Sequence, residues 1–500
     1  MSDIKTVLRN IGGIFIAIGF ITLAALVVPL FFKEYFATGP LLITAAIYFV
    51  LGAPLYIIFQ DAEASNFKTA MVSAALSWFF ISLIGAIPFF LIQYNMSTGV
   101  NMSFLSAFFE SMSGWTGTGL TMVDNEGLLP YTLQFWRSLI QWVGGVGVIV
   151  LTLSILARPG TGSFVLYQSE ARGQKTHPSI ISTVRTIWWI FLLYTVIGVI
   201  VLMSLGFIFP SGMDPWQSLN HCMTGLATGG FSVTDDSIAG FNVISQIALL
   251  ALMVVGSIAF AAHYDLLKGR IKRFFSDAQF RAMILLIILG VVALTLINLN
   301  DPNLGYNDNF LLSLKESGFQ FVSALTCTGF ATVTLGDWTE SAKLILSFAM
   351  IIGGAAGSTA GGIKLFRAIL LSKGVSWRIK RSISTPRRVF VHKFGNKSLS
   401  KDDAMDLINE AAIISFIWVI LLSVGIIVIG YIFPHETLGN IIFEVCSAQG
   451  NVGLTTGITN IGMSNAAKVM LIFNMWVGRL EIIPIIVLIK SMFGIRRNIL

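Results

Sequence analysis

The chain has 500 residues, 55% of them hydrophobic and 11% charged, with a formal net charge of +7 and a mean hydropathy of +0.81. A soluble domain carries about 25% charged residues, so these figures exclude one. The positive excess reads as an asymmetry between loops and not as a nucleic-acid patch, so no nucleic-acid partner is expected. The three cysteines, Cys222, Cys327 and Cys446, are an odd number without metal-like spacing and suggest no disulfide.

In chain order, apolar stretches at about 11–32 and 39–59 predict two membrane helices in an N-terminal extension, 1–62. The first is long enough to span and lacks a clear small-residue cleavage site, so it does not read as a signal peptide. Four further units follow, at 63–160, 178–268, 276–373 and 403–500, with a basic connection at 374–402. Each opens on an apolar run (about 70–94, 185–209, 282–299 and 408–433) and continues with a short amphipathic segment, a glycine-rich stretch and a second long apolar helix. Basic residues crowd the N-terminus (Lys5, Arg9), 158–185, 268–281, 367–401 and the C-terminus (Lys490, Arg496, Arg497). The alternate connections hold Asp124/Glu126, Asp235/Asp236, Asp301/Asp308 and Asp337/Glu340. By the positive-inside rule this predicts a multi-pass protein of the cell membrane, with both termini cytoplasmic and an even number of crossings.

The glycine-rich stretches repeat. "SMSGWTGTGLT", "CMTGLATGGFS", "FVSALTCTGFA" and "VCSAQGNVGLT" align without a gap on Gly119, Gly230, Gly329 and Gly453. Six residues before each glycine stands Ser113, Thr224, Ser323 or Ser447. Downstream lie "WVGG" (142–145), "VVGS" (254–257), "IIGG" (351–354) and "WVGR" (476–479). Each unit therefore reads as helix, half-crossing helix, extended loop, helix. Non-helical backbone at membrane depth is tolerated only where protein buries it or where it lines a watery cavity. Four such loops about a pseudo-fourfold axis can form a ring of carbonyls of the kind that replaces the hydration shell of K+, with the half-helix C-termini turned inward, where their dipoles favour a cation. The candidate ion-binding residues are Thr116, Gly117, Thr118 and Gly119; Ala227, Thr228, Gly229 and Gly230; Thr326, Cys327, Thr328 and Gly329; and Gly450, Asn451, Val452 and Gly453. The expected ion is K+, with no organic cofactor. The expected fold is an all-α polytopic membrane protein of four helix–pore-loop–helix repeats around one pore, plus two N-terminal helices.

"TGTGLT", "TGGFS", "TCTGFA" and "NVGLT", in order and together with "WVGR", resemble the four filter loops of the Trk/Ktr/HKT superfamily of K+ transporters, and the extra N-terminal pair is similar to its Trk branch. The resemblance covers essentially the whole chain. It implies a homodimeric membrane subunit bound on its cytoplasmic face by a ring of TrkA-like nucleotide-binding regulatory subunits. It also implies K+ preference, since all four loops keep their glycine; Gly117 departs from the family's common Thr-Thr-Thr-Gly.

Two further features lie below the loops. Arg479 stands mid-helix where the other repeats have Gly145, Ser257 and Gly354. Such a charge faces a cavity or a partner; a pore-facing barrier is the reading adopted, and pairing with Glu481, two residues away on a different helix face, is the competing one. The resemblance places an arginine there. The run Gly353, Gly354, Ala355, Ala356, Gly357, Ser358, Thr359, Ala360, Gly361 and Gly362 has low helix propensity. It reads as a flexible loop that interrupts its helix while the counterparts continue apolar, or else as a packing groove; the resemblance implies a gate, with Lys364 positioning it. Glu110, His221, Gln320 and Glu444 hold equivalent places in the half-helices and are read as braces. The basic run at 367–401 orients the chain and could contact the regulatory ring or anionic membrane lipid. No HExxH, GxSxG, Walker A or paired intramembrane aspartate motif is present, so an enzyme is not expected. The alternative to a gated K+ pore is K+ symport with H+ or Na+, which needs an ion-binding or titratable midplane site.

Overall fold

The computed structural model describes residues 2–95, 102–156, 180–302, 304–306, 309–385, 392–394 and 397–492. Basic residues 158–179, Arg387, Arg388, Arg496 and Arg497, together with Asp308, lie outside them. Among the described residues, six helices are long and apolar enough to cross a membrane: Asp3–Phe31, Tyr35–Ile58, Phe67–Ile92, Thr183–Ile208, Ala278–Leu299 and Lys401–Ile432. The first two are the N-terminal pair. They cross at Gly12 and Gly52, where an added Cβ would meet the facing backbone, the close approach that small residues allow between membrane helices. The other four open the repeats, and Phe67–Ile92 differs from the rest. It is 61% buried, against 28%, 28% and 22% for Thr183–Ile208, Lys401–Ile432 and Ala278–Leu299, because both the N-terminal pair and the last helix of repeat four, Ile483–Met492, pack on it. Tyr48 Oη donates to the Ile81 carbonyl at 2.8 Å across that contact. From the connection between the two N-terminal helices, Glu34 accepts from the Tyr131 and Thr132 amides at 2.9 and 2.8 Å, a carboxylate on the free amides of a helix start.

The short amphipathic segments form the half-crossing helices Phe104–Thr116, Pro215–Leu226, Phe310–Leu325 and Leu438–Gly450. At 1.5 Å per residue none reaches across about 30 Å of hydrocarbon. Each starts on a side-chain cap, from Ser103, Asp214, Asn309 and Thr437, that accepts an amide of the first turn. Second helices follow from Tyr131, Val243, Glu340 and Asn465.

In one respect the sequence expectation fails. Repeat three is not alone in breaking its second helix. In repeat two Val243–Ser257 turns through 105° into Phe260–Leu267, and in repeat four Asn465–Arg479 turns through 111° into Ile483–Met492. Among the described residues only repeat one continues unbroken, as Tyr131–Leu156. The apolar character of "IAFAAH" and "LEIIPI" concealed the bends because hydrophobicity reports burial, not dihedrals; in repeat four Glu481 and Ile482 take φ of 54° and 70°. For a β-branched residue this is a true backbone outlier, held by its surroundings. The basic connection also holds two three-residue strands, His392–Phe394 and Lys397–Leu399, paired antiparallel.

Candidate ion pathway

All four half-helices end the same way. The residue two before the aligned glycine is left-handed: Gly117, Thr228, Cys327 and Asn451, with φ of 62°, 49°, 55° and 54°. The next amide returns to the carbonyl five residues back, Thr118 to Ser113, Gly229 to Thr224, Thr328 to Ser323 and Val452 to Ser447, at 2.8–3.0 Å. This is a Schellman termination. It explains Gly117, which takes the left-handed position where glycine is cheapest. The aligned glycines follow with φ of 93°, 74°, 91° and 99°. The Ser113, Ser323 and Ser447 hydroxyls accept the amides of Gly119, Gly329 and Gly453 at 3.0–3.1 Å; Gly230 uses the Thr224 carbonyl at 3.4 Å instead. The hydroxyl six residues upstream is thus a backbone cap in loops one, three and four, whereas the Thr224 hydroxyl of loop two donates to the Phe231 carbonyl at 2.9 Å.

The loops close into a ring. A Cβ on Gly119 would collide with the Gly229 carbonyl oxygen. One on Gly230 would collide with that of Thr328, one on Gly329 with that of Val452, and one on Gly453 with that of Thr118. Each repeat touches the next and the fourth returns to the first. In every loop the glycine is half-buried between buried neighbours, so the glycine is the accessible point of each loop.

Behind the ring the half-helices brace the outgoing chain. Glu110 accepts from Thr121 Oγ1 and the Met122 amide at 3.0 and 2.7 Å, and Glu444 from Thr455 Oγ1 and the Thr456 and Thr459 amides. His221 Nε2 lies 2.9 Å from Ser232 Oγ, and Gln320 donates to Thr332 Oγ1 at 3.1 Å. Two residues that the sequence reading passed over join them from the second helix of repeat one. Arg137 binds Glu110 at 2.8 Å and the Ser232 carbonyl at 2.6 Å. Gln141 binds loop two directly. A signal existed: the corresponding residues of the other repeats are apolar, Leu249, Leu346 and Leu471 for Arg137, and Met253, Met350 and Met475 for Gln141. In the connection between the loop and the second helix of repeat one, burial pushes the Glu126 carboxyl up to about 7, against the pull of the Arg137 guanidinium 3.8 Å away.

Under the ring lies the glycine-rich run. Ala355 donates to the Ser257 carbonyl at 3.0 Å, and Thr359 Oγ1 to that of Gly256 at 2.9 Å, both in repeat two. Gly362 donates to the Gly450 carbonyl of repeat four at 3.0 Å. Arg479 is 3% exposed. Its guanidinium donates to the Thr359 carbonyl and to the Gly144 carbonyl, both at 2.9 Å, and lies close under Gly117. Lys364 Nζ donates to the Ala360 carbonyl. Glu481 pairs with Arg367 at 2.6 Å and not with Arg479. The run 353–364 thus lies between repeats two and four, and Arg479 ties it to repeat one.

The fold and the ring define a helical, multi-pass membrane protein with four equivalent loops meeting at one centre. The TrkH family, described as cation transport proteins, matches residues 41–494, and the chain belongs to that family. It is 34% identical to an uncharacterised cation transporter of Methanocaldococcus jannaschii, over 98% of this chain and 96% of that protein. It is 32% identical to the Trk system potassium uptake protein TrkH of Escherichia coli K12, over 85% and 86%. The crystal structure of the potassium transporter TrkH from Vibrio parahaemolyticus superposes with a TM-score of 0.81 at 25% identity, over 98% of this chain and 99% of that one.

Proposed function

We propose that this chain carries K+ into the cell across the cytoplasmic membrane through a gated, channel-like pore. The observation that carries the reading is the closed ring, in which the carbonyls of Thr118, Gly229, Thr328 and Val452 each abut the glycine of a neighbouring repeat. Carbonyl oxygens in such a ring substitute for the hydration shell of K+, and four half-helix C-termini directed at it favour a cation. The E. coli relative's role in potassium uptake supports the choice of ion. The filter would comprise residues 116–119, 227–230, 326–329 and 450–453, within repeats bounded near 63–160, 178–268, 276–373 and 403–500. Both termini are cytoplasmic in this reading.

The run 353–362 with Lys364 is the gate and Arg479 its bolt: a buried cation under the filter repels a resting ion, and its two carbonyl bonds hold the run across the path. The helix after the gate, Leu365–Ser382, carries Arg367, Lys373, Arg378, Lys380 and Arg381 toward the cytoplasm. There a TrkA-like nucleotide-binding subunit docks, anionic lipid contributes, and the chain pairs as a homodimer. The test is flux and reversal potential of purified protein in liposomes. A potential that follows the K+ gradient alone supports the pore; one that moves with pH or Na+ supports K+ symport with H+ or Na+ and overturns it.

A further inference from the structure

The ring is fourfold in its backbone but not in what holds it. Gln141 Nε2 donates to the Gly229 carbonyl at 2.6 Å, and Gln141 Oε1 accepts the Phe231 amide at 3.0 Å. Both groups are buried. Among the described residues no side chain donates to the matching carbonyls of Thr118, Thr328 or Val452. The sequence is asymmetric at the same two places. Where repeat one has Gln141, the others have Met253, Met350 and Met475, which offer no donor. Where loop two has Gly229, the other loops have Thr118, Thr328 and Val452. The two departures belong together: a Cβ on Gly229 would occupy the space of the Gln141 amide group.

We infer that Gln141 is a specificity-determining residue of the filter, acting through the Gly229 carbonyl. The inference rests on the reading of the ring as a K+ filter. Loop two has two successive glycines at the ring, Gly229 and Gly230, so its backbone is the least constrained of the four. The amide of Gln141 fixes it from both sides. It also occupies one lone pair of the Gly229 oxygen, leaving that oxygen weaker and less free to close on an ion than its three counterparts. Selectivity among alkali ions depends on the number and field strength of coordinating carbonyls. A ring with one tempered carbonyl holds a large, weakly hydrated ion without closing around a small one. Freeing the oxygen strengthens the field on one side and favours Na+.

The variants are Gln141→Met and the pair Gln141→Met with Gly229→Thr, which reproduces the combination found where repeat two meets loop three. The readouts are the K+/Na+ flux ratio in liposomes and, independent of transport, the ratio of K+ to Na+ concentrations giving half-maximal thermal stabilisation in detergent. We expect both ratios to move toward Na+ by about fivefold in Gln141→Met, the equivalent of one net hydrogen bond of about 1 kcal/mol. The shift persists in the double variant, where the threonine refills the space but supplies no donor to the oxygen. Ratios within twofold of wild type overturn the assignment. So does recovery of wild-type ratios in the double variant, which would make Gln141 packing alone, and so does failure of both variants to fold. Gly329→Ser is run beside them. If it leaves selectivity unchanged, the filter reading itself falls; if it alters selectivity while Gln141→Met does not, only the role of Gln141 falls.

Discussion

Two layers lie one below the other in the centre of this molecule, and they are built on opposite plans. The upper layer is four times the same thing: one Schellman end, one left-handed residue, one glycine near φ 90°, one neighbouring carbonyl. The lower layer is made once. Its glycine-rich run comes from repeat three, its buried guanidinium from repeat four, and its anchors from the backbones of Gly144, Gly256, Ser257 and Gly450. A site that surrounds a spherical ion gains from equal ligands on every side. A barrier needs a single obstruction, and four copies would fill the space beneath the ring with bulk that could not move. The repeats are thus alike at the ring and different below it.

The comparison is tested hardest by removing the lower layer. Deleting 355–360 takes away the contacts to Ser257 and Gly256 and the Arg479 partner at Thr359. Flux should rise and become insensitive to the cytoplasmic partner, while K+/Na+ preference stays with the intact ring. Wild-type flux and intact partner control, at normal expression, would make the run a packing surface.

Striking the upper layer should do the reverse. Gly329→Ser pushes a Cβ into the Val452 carbonyl from a backbone that L side chains rarely adopt. Discrimination between K+ and Na+ should fall by about tenfold or more, the equivalent of about 1.4 kcal/mol at the site. Competition between the two ions in a flux assay measures it, and an unchanged ratio with normal yield removes the filter assignment.

Arg479→Ala separates the two layers more finely. Two hydrogen bonds from a charged donor, each about 1.5–3 kcal/mol, hold the run in place. Their loss should raise K+ flux by about tenfold with selectivity unaffected. A variant that is both inactive and poorly expressed would instead mark Arg479 as structural support. Arg367→Gln, which unpairs Glu481 behind the same helix break, should move flux in the same direction and by less.

The smallest effect lies at the Arg137 buttress behind the ring. The Glu126 carboxyl is pushed up to about 7 by burial, so the folded protein binds more protons than the unfolded chain between about pH 4.5 and 7. Its contribution to stability is then complete below about pH 4.5 and is lost as pH rises through about 7, by roughly 1–3 kcal/mol. Melting temperature in detergent should fall across that window in the wild type and fall less in Glu126→Gln. Parallel curves would remove Glu126 as the titrating group.

Period and composition were enough to place the half-crossing helices and glycine loops that recur. The four glycines, the hydroxyl six residues upstream and the apolar runs between them lie in the linear sequence, because each local termination needs a residue type at a fixed offset. Glycine takes φ near 90° without a Cβ penalty, and a short side chain caps the amide it can reach. The re-entrant course followed from solvation, since lipid leaves non-helical backbone unsatisfied. What stayed hidden depends on contacts between repeats. The bend at 258–259 is written in apolar residues that would suit a straight helix, and the one at 480–482 sets Glu481 between Leu480 and Ile482; there Ile482 takes φ 70°, with its amide on the Val477 carbonyl at 3.3 Å. Glu481 looked like the neighbour of Arg479, but its carboxylate reaches Arg367, 114 positions away. Gln141 reads as one polar residue in an apolar helix until folding sets it 2.6 Å from a carbonyl 88 positions on. Local chemistry fixes how each loop ends; which loop abuts which carbonyl, and which single side chain tempers one of four equal oxygens, is decided only when the repeats close around the axis.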